Sequence, residues 1–198
     1  MRRASQANRG RPFEDLLNLA HSRYQANGLA CVHKVPTEFL PLRDGTGKLV
    51  SCKVEHKSCV DFLGRYRNIP VAVEAKHTEG KRISFDRVEQ HQAAYMDDFC
   101  KNPGAVGIVV VSFGMRRFFA VPWPFWKAAR DVWAAGGPRA ASAPVNAYGT
   151  YWDTPGMASA SPEQLHEEWE IKPGGPYALP YLQIIERLAW REKTYGKK

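Results

Sequence analysis

The apolar positions change period several times along the chain, and each change marks an element. Phe13, Leu16, Leu17, Ala20 and Tyr24 recur at helical spacing behind Pro12, which suits a first helical position, and Asn27-Gly28 supplies a stop. Leu29 to Lys34 reads as a strand closed by Val35-Pro36. Residues 37–57 differ: Asp44-Gly45-Thr46-Gly47 makes a turn, and Lys48, Lys53, His56 and Lys57 interleave with Val50 and Val54. That pattern predicts a polar hairpin reaching away from the core. Residues 59–76 hold two apolar runs about a polar turn containing Gly64 and Asn68, a second hairpin. Ser84 is placed to cap a helix from Phe85 to about Lys101, with Phe85, Val88, Tyr95, Met96 and Phe99 as its apolar stripe.

Residues 105–111 form a near-continuous apolar run, the signature of a strand covered on both faces, and Arg116 to Val121 gives another strand. Pro122 and Pro124 open a short aromatic helix with Phe125, Trp126 and Trp133. Residues 136–160, rich in Gly, Pro, Ala and Ser, read as irregular. Ser161-Pro162-Glu163-Gln164 is a capping box for a short helix to about Glu170, and Pro173 to Pro176 break the chain again. A last amphipathic helix carries Tyr181, Leu182, Ile184, Ile185, Leu188 and Trp190, and Lys193 to Lys198 form a basic tail. The order helix, strand, hairpin, strand, helix, strand, strand predicts a single mixed α/β domain behind a flexible basic arm at residues 1–10.

Chemistry concentrates at residues 59–76. Strand alternation puts Val71, Val73 and Ala75 on one face and Ala72, Glu74 and Lys76 on the other, and antiparallel pairing brings Asp61 toward Glu74. Two carboxylates beside an ammonium suit a hard divalent cation, with the lysine near a reacting phosphate. The plainer alternative makes Glu74 and Lys76 the solvated face of a half-buried strand. Glu14, in the first turn of the first helix, either favours the helix dipole or leans toward the metal. Gln92 falls inside an apolar stripe and either satisfies itself locally or orients water or phosphate.

Charge widens the picture. With 28 Lys+Arg against 20 Asp+Glu, a net charge of +8, the chain suits a polyanionic partner. No apolar run approaches the roughly 18 residues of a spanning helix, and no signal peptide is evident, so a membrane is not the expected partner. Cys31, Cys52, Cys59 and Cys100 form no CxxC pair, which points to reduced thiols and a cytoplasmic setting, bacterial or viral-host. A zinc site from Cys52, Cys59, His33 and His56 has the ligand types but no common spacing.

The Asp61…Glu74-x-Lys76 spacing resembles the core of the PD-(D/E)XK nucleases. The chain as a whole resembles the RecU-type Holliday junction resolvases within that superfamily. The resemblance rests on Asn8-Arg9-Gly10, Phe13-Glu14-Asp15, Val32 to Thr37, Val60-Asp61-Phe62, Glu74-Ala75-Lys76, Ser84-Phe85, His91-Gln92 and Tyr181 to Leu188, in that order. It implies a restriction-endonuclease-like mixed sheet flanked by helices, with residues 37–57 as a protruding stalk. It implies metal-assisted phosphodiester hydrolysis leaving a 5′-phosphate and a 3′-hydroxyl. Asp61, Glu74 and the Ala75 carbonyl would hold Mg²⁺, with Mn²⁺ as a substitute and no small-molecule cofactor. Lys76 would act on the water and the phosphorus, with Gln92 and Glu14 auxiliary. Arg9, Arg11, His33, Lys34, Lys48, Lys53 and Lys57 would meet DNA, and a homodimer would match the two-fold symmetry of a four-way junction. Two other readings remain: a nuclease of this fold cutting linear duplex, and a non-catalytic DNA-binding protein.

Overall fold

The structure, a computed structural model, describes residues 10–134 and 158–187. Helix α1 (Arg11–Ala26) begins with Pro12 in its first turn and ends at Asn27, followed by Gly28 at φ +68°. Its inner face is Phe13, Leu17, Ala20, His21 and Tyr24. Strand β1 (Ala30–Lys34) follows, then β2 (Glu38–Arg43) and β3 (Leu49–His56), which among the described residues pair only with each other. This hairpin is the predicted stalk, but it is less polar than its lysines suggest. Phe39, Leu40, Leu42, Leu49, Val50 and Val54 are all exposed on it.

Strands β4 (Phe62–Tyr66) and β5 (Ile69–Thr78) form the central hairpin about Arg67 and Asn68, with Arg67 at φ +52°. Gly64 therefore lies inside β4, not in the turn. Its role is close approach: a Cβ there would sit 2.0 Å from the Cys31 carbonyl oxygen of β1. Strands β6 (Ile83–Ser84), β7 (Val106–Phe113), β8 (Arg117–Pro122), β9 (Ser159–Ala160) and β10 (Glu170–Ile171) complete the set. The main sheet runs β1-β4-β5-β7-β8-β10, with β5 and β7 parallel and every other neighbour antiparallel. Burial of β7 on both faces is as its apolar run predicts.

Helix α2 (Gln90–Phe99) connects β5 to the parallel β7, and α3 (Trp123–Ala134) follows β8. The two lie on the Ala72–Glu74 face, where Gly107 of β7 leaves room for Met96, Cys100 and Trp123. On the opposite face, Phe13 of α1 approaches His77 and Phe118. Helices on both faces of a mixed sheet, and a hairpin outside it, match the expected fold class.

Three local expectations fail, each because a distant segment intervenes. Ser84 does not cap α2: its hydroxyl donates to the Ala158 carbonyl, and residues 85–87 form a 3-10 turn. Glu89 caps the helix instead, in a reciprocal box with Gln92. Residues 159–160, expected to be irregular, pair with β6. The box at Ser161–Gln164 forms, yet only two 3-10 turns follow it, because Trp169 and Ile171 are buried beside β8. Most of the 136–160 segment, Arg9 with the basic arm, the basic tail and the last helix beyond Arg187 lie outside the described residues. No described helix is long and apolar enough to cross a membrane.

Candidate active site

The catalytic candidates meet where β4 peels away from β5. Phe62 pairs with Val73, so Asp61 is the last residue before the ladder opens. Its Oδ2 accepts the Ala75 amide at 2.8 Å, and its own amide donates to Glu74 Oε2 at 3.2 Å. A strand residue points its N–H and C=O to the same side, so the Ala75 carbonyl also faces Asp61. Glu74 is wholly buried, with Oε1 2.6 Å from Lys76 Nζ and 2.7 Å from Gln92 Nε2. Gln92 Oε1 accepts from the Glu89 amide at 3.0 Å and from Lys76 at 3.3 Å. Glu74 and Lys76 are therefore not a solvated strand face: the lysine side chain is only 13% exposed.

Burial, then the Asp61 charge beside it, pushes the Glu74 carboxyl up to about 7, against the pull of Lys76. Burial raises Asp61 as well, against the Ala75 amide and Lys76. Two carboxylates that resist ionising side by side with one ammonium form a site short of positive charge. Asp61, Glu74 and the Ala75 carbonyl fit a small hard cation, which is commonly held by one or two carboxylates while it keeps waters and phosphate oxygens. Among the described residues no third carboxylate joins them, and no group of three or more His, Cys, Asp or Glu could hold a metal. Glu14 lines the same cleft of about 570 Å³, but its carboxylate pairs with Lys34.

The other candidates spread outward. Arg11 opens α1 and is exposed, and His33 is exposed with Nε2 3.2 Å from Cys31 Sγ. Lys48 and Lys53 are exposed on the stalk, and Lys57 at its base reaches Glu89 at 2.6 Å. All four cysteines are free thiols. Sequence reasoning missed Arg87, whose Nη1 donates to the His77 carbonyl at 2.6 Å and which lines the same cleft as Asp61 and Glu74. It also missed His77, held between Ser112 Oγ at 3.1 Å and Glu79 Oε1 at 2.8 Å. The available signal was position, since His77 directly follows Lys76.

A mixed sheet with a parallel central pair, helices on both faces, and Asp and Glu-x-Lys where the ladder opens is the restriction-endonuclease-like class. Comparison with known proteins narrows this. The sequence model of RecU, Recombination protein U, matches residues 8–138, and the chain belongs to that family. A protein of Lactobacillus delbrueckii subsp. bulgaricus named Holliday junction resolvase RecU is 25% identical over 205 residues, covering 100% of this chain and 89% of its own length. One of the same name from Streptococcus pneumoniae is 28% identical over 195 residues, covering 95% and 88%. Among solved structures, Hjc, a Holliday junction resolvase from Archaeoglobus fulgidus, matches with a TM-score of 0.37 and 14% identity over 59% of this chain and 74% of that chain.

Proposed function

We propose that this chain is a divalent-metal-dependent endodeoxyribonuclease that resolves four-way DNA junctions in recombination and repair. The observation that carries the reading is the Asp61–Glu74–Lys76 cluster, its glutamate buried, its other two members half-buried and both carboxyls raised, opening into a solvent-accessible cleft. Mg²⁺, or Mn²⁺ in its place, bound by Asp61, Glu74 and the Ala75 carbonyl would supply water activation and charge neutralisation. The chain's own residues do the rest. Lys76 Nζ, 2.6 Å from Glu74, holds positive charge where negative charge builds on the phosphorus oxygens. Gln92 fixes both side chains through its two-ended amide. Water attacks the phosphorus as the P–O3′ bond breaks, so O3′ leaves and takes up a proton to become the 3′-hydroxyl while the phosphate stays on O5′.

Junction choice rests on shape and on backbone contacts, with Arg9, Arg11, His33, Lys34, Lys48, Lys53 and Lys57 as the residues that would meet the phosphates. Paired cuts in a two-fold symmetric junction call for two copies of the chain. The exposed Phe39 and Val54, cross-strand partners on one face of the stalk, give a second copy an apolar surface there. The test is incubation of the pure protein with a labelled four-way junction and with linear duplex of the same arms, with and without Mg²⁺. Metal-dependent paired cuts in the junction alone support the reading. Equal cutting of the duplex would make it a duplex nuclease, and binding without cutting would make it a DNA-binding protein.

A further inference from the structure

A second cleft of about 620 Å³ adjoins the catalytic one, and Glu79 and Gly80 line both. It runs under the turn between β7 and β8, two strands across the sheet from β5 and on the side away from the stalk. Its cations are of two kinds. Arg117 is committed to Glu163 at 2.8 Å and Glu170 at 2.7 Å. Lys81 and Arg116 are exposed and stand outside the ion pairs that the described residues make. Arg87 lines the catalytic cleft beside it, anchored to the His77 carbonyl by one nitrogen and paired with no carboxylate among the described residues. The two acids present are both engaged, Glu79 by His77 and Glu163 by Arg117.

We propose that this cleft is the backbone track for the DNA arm that leaves the catalytic centre away from the stalk. Lys81, Arg87 and Arg116 each take a phosphate there. The proposal rests on the reading of the Asp61–Glu74–Lys76 centre as a DNA-cleaving site, and it adds a second side to the binding surface. Two strand spacings amount to roughly 10 Å. At about 3.4 Å of rise per nucleotide, that spans two to three phosphates, which matches the three cations. Arg87 is the one nearest the reacting phosphate, because its anchor is the residue after Lys76.

The experiment is junction binding by the full chain in EDTA, where no cleavage intervenes, across a range of salt. Lys81→Gln with Arg116→Gln removes two phosphate contacts, so the slope of log affinity against log salt should flatten by about 2. Arg87→Gln should flatten it by about 1, and Arg87→Lys should restore it. Trimming the arms to a few base pairs should cost the unsubstituted chain the same affinity and make the double variant indistinguishable from it. An unchanged slope on long arms overturns the proposal, and so does an equal loss on trimmed arms. If the glutamine variants melt early, Lys81→Arg with Arg116→Lys keeps the charge, and its slope must match the unsubstituted chain. A chain that shows these slopes but never cuts a junction with Mg²⁺ refutes the nuclease reading and leaves the track intact.

Discussion

Glu74→Gln should gain stability relative to the unsubstituted metal-free protein as pH rises from 5 to 8. The Glu74 carboxyl moves from its usual 4.5 to about 7 on folding, mainly through burial and then through Asp61. The folded protein therefore holds that proton more tightly, and stability is lost as pH rises from about 4.5 through 7. At 1.36 kcal/mol per unit, the loss is about 3 kcal/mol, on a group with no exposure to screen it. His21 works in the opposite direction. Burial lowers it from 6.5 to about 4, so its contribution is complete above 6.5 and is lost as pH falls toward 4. Between 4.5 and 6.5 the two slopes nearly cancel, and the stability of the unsubstituted chain alone is uninformative.

The difference between Glu74→Gln and the unsubstituted chain removes His21 and leaves Glu74 together with Asp61, whose raised carboxyl is coupled to it. Urea denaturation in EDTA at pH 5, 6, 7 and 8, at constant ionic strength, measures it. The difference should grow in favour of the variant by about 3 kcal/mol across the range. Saturating Mg²⁺ should close the gap from the other side. At about 100 times its dissociation constant a ligand adds about 2.7 kcal/mol, and it should do so at pH 8 far more than at pH 5, where Glu74 holds a proton. A difference constant to within about 1 kcal/mol, or one that shrinks toward pH 8, would show that Glu74 is not held in a charge-poor site.

Asp61→Asn should abolish cleavage yet leave junction binding in EDTA nearly intact, since it removes a metal ligand but also repulsion from phosphate; near-normal turnover at saturating Mg²⁺ would sink the assignment. Lys76→Ala should lower single-turnover cleavage by about 10²–10³-fold while Mg²⁺ affinity by calorimetry changes little, and a matching loss of metal binding would contradict the role given to it. Neutralising Lys48, Lys53 and Lys57 together should leave the melting temperature almost unchanged, because all three are exposed, while weakening junction binding more than duplex binding. Equal weakening on both substrates would reduce them to generic phosphate contacts. Gly64→Ala should cost about 3 kcal/mol or more, because its Cβ would meet β1 backbone at 2.0 Å and has no flexible neighbour to displace; ordinary denaturation midpoints would refute the close-approach reading.

The grouping of Asp61, Glu74 and Lys76 was legible because its geometry is local. A tight hairpin fixes register, register fixes which side chains face each other, and Asp61 meets Glu74 within that one unit. Gly64 was misplaced because glycine marks turns and close approaches alike, and only β1, some thirty residues earlier, shows which applies. Ser84 looked like a helix cap for the same kind of reason. Its true partner, the Ala158 carbonyl, comes from a segment that composition alone marked as irregular. The stalk's position was readable from its charge, but its exposed apolar residues were not, since apolar residues in a hairpin ordinarily face a core.

The residues with two available readings were decided by what their neighbours could satisfy. Gln92 did not have to choose between local capping and the active site. Its amide has a carbonyl end and an amino end, so it accepts from Glu89 and Lys76 while donating to Glu74. A side chain of one polarity could not do this: an acid would add repulsion beside Glu74, and an alanine would leave Glu74 without its second donor. Glu14 was decided the other way. It lies in the cleft, but Lys34 offers a full positive charge, whereas the buried pair beyond offers only two more carboxylates. That ion pair is half in solvent and worth little, so a cation placed between Asp61 and Glu74 reverses the sign of the local field at small cost. Glu14 would then be the carboxylate free to shift when a cation binds, while Asp61 and Glu74 are already held by the Ala75 and Asp61 amides, Lys76 and Gln92.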